Sequence, residues 1–174
     1  LRRRQRQMCI RDRDKKLLEG LAGLSEKYHA PVYTHNSETK REVEECRQRY
    51  GKSPTQLFEE MGLYRYGGGG YHCIWFDDED IDIFAKRNLS VITNPASNLK
   101  LASGIAPLKK MQEAGINLAI GTDGPASNNC LDMFREMFLV TGLAKLRERD
   151  AAVMDANDVL YMACLLYTSP SPRD

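Results

Sequence analysis

Four short β-rich segments, at residues 32–35, 70–75, 89–93 and 116–120, alternate along this chain with stretches whose apolar residues recur at helical spacing. A parallel neighbouring strand is reached only by a long crossover, usually a helix, so the alternation restricts the chain to a parallel α/β sheet. A second regularity lies on top of the first: His35, His72, Asn94 and Asp123 each sit at the carboxyl end of a successive strand segment. In an α/β barrel those ends converge on one face, where catalytic groups gather.

The helical stretches carry ordinary start and stop signals. Leu17, Leu18, Leu21, Leu24 and Tyr28 form one apolar stripe, and His29-Ala30-Pro31 ends it. A charged helix follows through Glu42, Val43 and Cys46, and Ser53-Pro54 begins another that runs to Met61-Gly62. Asp77, Asp78, Glu79 and Asp80 open a helix where negative charge favours the dipole. Asn94-Pro95 ends the third strand, a helix from Pro107 to Ala114 is closed by Gly115, and a long helix passes through Met133, Met137 and Val140. A last amphipathic segment lies at residues 156–162. Residues 67–70 are all glycine and read as a flexible loop, since no Lys-Ser/Thr follows to make a phosphate cradle. The Met133 and Met137 stripe reads as core.

At 174 residues and 42% hydrophobic the chain is long enough for one domain with a core, while a (β/α)8 barrel takes about 250 residues. Part of a barrel is therefore expected. Nothing approaches the ~20 apolar residues of a membrane helix or the pattern of a secretory signal, which predicts a cytoplasmic protein with no membrane partner. Five cysteines without CxxC spacing read as reduced thiols. The two ends read differently from the rest. Arg3 to Asp12 back-translates into a transposase library adapter, and Cys164 to Asp174 reads as the reverse complement of its end repeat running into the partner adapter. Residues 1–13 and 164–174 are accordingly expected to be adapter-derived and to pack on nothing. Without them the interior, 14–163, holds 18 basic and 22 acidic residues, net −4, which predicts no nucleic-acid partner.

Taken singly, His35 and His72 read as core histidines with satisfied rings, and Asp123 in Gly-Thr-Asp-Gly as a turn aspartate. Together, two imidazoles and a carboxylate delivered by strand ends are ligand types that a divalent ion such as Zn²⁺ or Fe²⁺ accepts. Asn94, Ser97 and Asn98 either shape the pocket or cap a loop, and Ser127, Asn128 and Asn129 read as helix capping beyond Asp123.

Four motifs carry a family resemblance: Tyr33-Thr34-His35-Asn36-Ser37-Glu38-Thr39, Gly70-Tyr71-His72-Cys73-Ile74-Trp75, the run from Asn94 to Pro107, and Gly121-Thr122-Asp123-Gly124-Pro125-Ala126-Ser127-Asn128-Asn129. In this order and spacing they resemble the amidohydrolase superfamily, and within it the methylthioadenosine/S-adenosylhomocysteine deaminase group. The resemblance implies the carboxy-terminal half, about strands five to eight, of a metal-dependent (β/α)8 barrel over residues 14–163. It implies a hydrolytic deaminase of a purine nucleoside, acting through metal-activated hydroxide on a small heterocyclic substrate. His35 and Asp123 would be the metal ligands, for zinc, with iron as the alternative. Glu38, His72 and Asp123 would be catalytic: Glu38 moves a proton to the substrate ring, His72 holds the water or substrate, and Asp123 takes the proton of the attacking water. Glu38, Asn94, Ser97 and Asp123 would contact the substrate. A homo-oligomeric parent enzyme is allowed.

The superfamily's His-x-His pair after strand one has no counterpart in this chain, so the chain is expected to be inactive alone. Two alternatives stand beside the deaminase: a related guanine deaminase or triazine hydrolase, and an orphan half-barrel without function.

Overall fold

The computed structural model describes residues 15–168, with side chains through Cys164; the expectations for residues 1–13 and for 169–174 lie outside the described residues. Four strands, β1 (Val32–Asn36), β2 (Gly68–His72), β3 (Ser90–Thr93) and β4 (Asn117–Ile120), form one sheet in the order β1-β2-β3-β4. Every pairing is parallel, as the alternation requires. Helix α1 (Lys15–Tyr28) precedes β1. The crossovers are α2 (Lys40–Tyr50) with α3 (Pro54–Glu60), then α4 (Asp78–Lys86), then α5 (Pro95–Lys100) with α6 (Leu108–Glu113). After β4 come α7 (Pro125–Asn128), α8 (Met133–Glu148) and α9 (Ala156–Thr168). No helix among the described residues is long and apolar enough to cross a membrane.

Alternation along β1 shows how the sheet is loaded. Val32, Thr34 and Asn36 are buried, whereas Tyr33 is 46% exposed and His35 half-buried. One face of β1 therefore packs while the other stays open. Beneath the packed side, Phe58, Tyr64, Phe76 and Phe84 meet edge to face, with centroids 4.8 to 6.1 Å apart, and burial of each such side chain contributes about 1.5–3 kcal/mol. Met133 and Met137 pack against the core, as their spacing predicts.

Three local readings are corrected by the structure. The glycines at 68–70 are not a flexible loop but the first three residues of β2, which starts two residues earlier than expected and ends at His72. The reason is space. An added Cβ would lie 1.9 Å from the Val32 carbonyl oxygen at Gly68, 2.3 Å from the Ser90 carbonyl oxygen at Gly69, and 2.5 Å from Cys73 Sγ at Gly70. The second correction is α5: Pro95 does end β3, but it also occupies the first turn of a helix, where its missing N–H costs nothing. Third, the amphipathic segment read at residues 156–162 is a helix that runs on to Thr168, because helix once nucleated adds a hydrogen bond per residue.

Reciprocal capping boxes start α3 (Ser53 with Gln56) and α4 (Asp77 with Asp80). The Ser53 hydroxyl also donates to Asp80 Oδ1, joining the two helix starts. Asp80 is fully buried, and burial pushes its carboxyl up to about 6, against the opposing hydrogen bond from Ser53.

Two stability measurements test these contacts. Gly68 has φ +129°, outside the range of ordinary side chains; Gly68→Ala is expected to cost about 3 kcal/mol or more in denaturant unfolding, from backbone strain and collision together. Asp80 binds its proton more tightly folded than unfolded. Its contribution is therefore full below pH ~4 and is lost as pH rises through about 6, a change on the order of 3 kcal/mol. Asp80→Asn should remove that component, so the difference between wild-type and variant stability should fall between pH ~4 and ~6 and be flat above.

Candidate active site

The carboxyl ends of the strands open onto one cluster. His35, near the end of β1, stacks on His72 at the end of β2, with ring centroids 5.4 Å apart and an interplanar angle of 24°, and it lies 5.5 Å from the Tyr71 ring. Their closeness follows from register, because His35 is paired with Tyr71 and Asn36 with His72. Beyond the strands the two exits are joined again: the backbone N–H groups of Ile74 and Trp75 both donate to the Ser37 carbonyl, and that of Cys73 to the Asn36 carbonyl. Ser37, His72, Cys73 and Asp123 all have positive φ, between 50° and 71°. Such non-glycine strain persists only where surrounding contacts enforce it, and it clusters at functional sites.

His72 is fully buried, and its Nδ1 lies 2.7 Å from Asn98 Oδ1. An amide oxygen only accepts, so Nδ1 carries the proton, and in the neutral ring the lone pair sits on Nε2. That Nε2 is buried without a hydrogen-bond partner and faces Glu38 Oε2 at 4.0 Å. Glu38 is itself buried. Its backbone N–H donates to Glu42 Oε2 at 2.9 Å, and its Oε1 accepts from the Ser103 hydroxyl at 3.2 Å.

Asp123 follows β4. Its Oδ2 accepts from the Ser97 and Ser127 hydroxyls, each at 2.6 Å. Partial burial pushes this carboxyl up, but the bonds from Ser127, Ser97 and the Gly124 N–H, with the nearby His72, outweigh it and hold Asp123 below the ordinary aspartate value. The short helix α5 thus serves both neighbours: Ser97 holds Asp123 and Asn98 holds His72. Asn94, at the N-cap of α5, is buried and places its Oδ1 where a side chain at Gly121 would come within 2.5 Å. Underneath, the fully buried Glu136 of α8 accepts from the Ala96 N–H at 3.0 Å and from Asn128 Nδ2 at 2.7 Å; Asn128 also donates to the Thr122 carbonyl.

The structure therefore brings His35, Glu38 and His72 together, and ties Ser97 to Asp123. Ser103, Trp75 and Glu136 complete the cluster without having been assigned roles by the sequence, while Asn98, read as either shaping the pocket or capping a loop, bonds to the His72 ring. Ser127, expected to be a capping residue, does reach the Gly124 carbonyl at 3.1 Å, yet its hydroxyl also meets Asp123. Among the described residues no group of three or more His, Cys, Asp or Glu side chains could hold a metal ion unaided. The donors present still suit one, since two imidazoles and a carboxylate match zinc chemistry and one imidazole nitrogen is buried with its polar valence unused.

Comparison with known proteins gives the family and the fold. Residues 13–166 match the amidohydrolase family. The 5-methylthioadenosine/S-adenosylhomocysteine deaminase of Dictyoglomus thermophilum is 48% identical over 132 residues, which is 76% of this chain and 31% of that protein. A zinc-bound adenosine deaminase from Xanthomonas campestris superposes with a TM-score of 0.80 at 39% identity, over 86% of this chain and 34% of that one. A guanine deaminase from C. acetobutylicum with bound guanine superposes with a TM-score of 0.83 at 24% identity, over 90% and 39%, which shows a shared fold. The chain spans about a third of the length of these relatives. The parallel sheet, its strand-end histidines and this match over most of the sequence make the chain a member of the amidohydrolase family.

Proposed function

We propose that the chain is the later half, strands five to eight, of a (β/α)8 barrel, and that the whole enzyme hydrolytically deaminates a purine nucleoside such as methylthioadenosine or S-adenosylhomocysteine. The observation that carries the reading is the buried, unpartnered Nε2 of His72, facing Glu38 and stacked by His35 at the carboxyl end of the sheet. A buried polar atom left without a partner costs about 1–3 kcal/mol, a cost that a functional role explains. The names of the relatives, deaminases of adenosine-type substrates, supply the substrate class.

His35 and Asp123 would hold a divalent ion, zinc by the neighbour's example, completed by ligands from the part of the barrel outside this chain. Such an ion makes water acidic enough to be present as hydroxide near neutral pH.

The chain's own residues do the rest. The reaction adds a water oxygen to the ring carbon bearing the amino group, breaks the carbon–nitrogen bond and releases ammonia. Asp123, held below the ordinary aspartate value, is ionised at neutral pH, accepts the water proton on its carboxylate and passes it to the departing amine, which leaves as ammonia. Glu38, on the wall of the cluster, enters protonated, gives that proton to the adjacent ring nitrogen, which prevents negative charge from building there, and recovers one from the added hydroxyl as the carbonyl forms. His72, with its tautomer set by Asn98, presents Nε2 to the attacking water or the substrate. Ser97 is fully buried and committed to Asp123, so its part is to hold that carboxylate, while Asn94 lines the floor beside Gly121.

In the full-length enzyme, Asp123→Asn and Glu38→Gln are each expected to lower ammonia release from adenosine derivatives by about 10²–10⁴-fold or more, with melting temperatures within a few degrees of wild type. A chelator should remove activity and zinc should restore it. The 174-residue chain alone should release no ammonia. Wild-type turnover by either variant would overturn the assigned roles.

A further inference from the structure

We propose that residues 101–106 form a strap that sets the Glu38 carboxyl, with Ser103 as a positioning residue and Trp75 as its anchor. The inference rests on the reading of Glu38 as the proton-moving group. The strap leaves the end of α5 and crosses over the exit of β2. Ser103 is buried, as is Ala106 at the strap's far end, and it lies between the exposed Ala102 and the half-buried Gly104. Both neighbours have positive φ, 54° at Ala102 and 129° at Gly104, so the backbone bends on either side of Ser103. The bends turn Ser103 inward.

Three contacts fix the serine there. Its N–H donates to the Asn98 carbonyl at 2.9 Å, its carbonyl accepts from the Trp75 indole Nε1–H at 2.9 Å, and its hydroxyl donates to Glu38 Oε1 at 3.2 Å. Trp75 is 39% exposed, and its indole N–H is nonetheless spent on the strap. Gly104 makes the seat close: an added Cβ would lie 2.9 Å from Ile74 Cγ2 and 3.7 Å from the Trp75 ring. Farther along, the Arg147 guanidinium donates to the Ile105 carbonyl at 2.6 Å and ties the strap to α8.

The consequence for Glu38 is a distinction between its two oxygens. Oε1 is engaged by Ser103, and Oε2 is the one that faces His72 Nε2 at 4.0 Å. A carboxyl free to rotate would present either oxygen; a carboxyl held at Oε1 presents Oε2 to the reacting ring. Ser103 therefore acts through Glu38 and touches no substrate. Because Asn98 holds His72 with its side chain and Ser103 with its carbonyl, the strap also keeps the acid and the imidazole in one frame.

The test has two arms. In the full-length enzyme, Ser103→Ala should lower kcat about tenfold, the loss expected when a hydrogen bond that orients the reacting group is removed, with KM within about twofold, because substrate binding does not use this hydroxyl. Ser103→Thr, which keeps the hydroxyl, should restore kcat; a merely structural serine would show no such rescue. In the chain itself, Trp75 is the sole tryptophan, so its indole N–H gives a single nitrogen–proton resonance. That proton should exchange slowly with solvent in the wild type and in Ser103→Ala, which keeps the carbonyl, and rapidly in Gly104→Ala, which unseats the strap. Full kcat in Ser103→Ala, a threonine variant as impaired as the alanine one, or rapid indole exchange in the wild type would each overturn the proposal. Glu38→Gln separates the two levels: if it is inactive while Ser103→Ala is fully active, the strap fails alone; if it is fully active, the reading of Glu38 fails and the strap's function with it.

Discussion

Polar side chains at the buried ends of parallel strands must find partners without water, and that requirement organises this structure. Helix α5 meets it with six residues. Two consecutive side chains, Ser97 and Asn98, reach in different directions, one to the carboxylate after β4 and the other to the imidazole after β2. The helix is in turn held from below, where Glu136 accepts the N–H of Ala96 in its first turn and the amide of Asn128 beyond β4. Deleting any one of these partners would leave a buried donor or acceptor unsatisfied, at a cost of about 1–3 kcal/mol. Site geometry and fold stability are thus maintained by the same bonds.

Much of this was legible in the sequence, for identifiable reasons. Strand order and parallel pairing follow from alternation, because crossover helices admit few other solutions. His35, His72 and Asp123 stand out since polar residues at strand ends break the apolar pattern. Glu38 was reached by resemblance, and the structure places its carboxylate beside His72. What escaped was whatever depends on distance across the fold. No spacing announces that Ser103, 65 residues from Glu38, donates to its carboxylate. The glycines at 68–70 look like a loop from composition, and only the carbonyls of Val32 and Ser90 on either side reveal that the strand has no room for side chains. Pro95 was read as a stop, although the same residue suits a helix start.

Tight packing around β2 bears directly on the site. Because Gly69 and Gly70 carry no side chains, β2 can lie against both β1 and β3, with His35 paired to Tyr71 and Gly70 paired to Val91. Bulk at these positions would push β2 away from its neighbours and widen the gap between the two imidazoles. The stacked 5.4 Å contact of His35 and His72 is therefore a downstream consequence of residues that bear no functional group at all. Opposite, the face of β1 that carries Tyr33 and His35 is less covered, with Tyr33 46% exposed and His35 half-buried against the rings of Tyr71 and His72.

Two aspartates show how the fold assigns different protonation to the same side chain. Asp80 is fully buried and receives the Ser53 hydroxyl and the Asp77 N–H, and burial prevails: its carboxyl rises to about 6. Asp123 is only half-buried and receives two hydroxyls and a backbone N–H, with an imidazole nearby; here the donors prevail and the carboxyl falls. The difference is in solvation and in the number of donors, which local sequence does not encode, since both residues sit among acidic or glycine-rich neighbours beside a helix start. An aspartate kept ionised at a strand end can hold a cation, whereas Asp80, enclosed in a helix junction, serves to close the α3–α4 contact. Chemistry at this site therefore depends less on which acids the chain carries than on which of them the fold surrounds with hydroxyls.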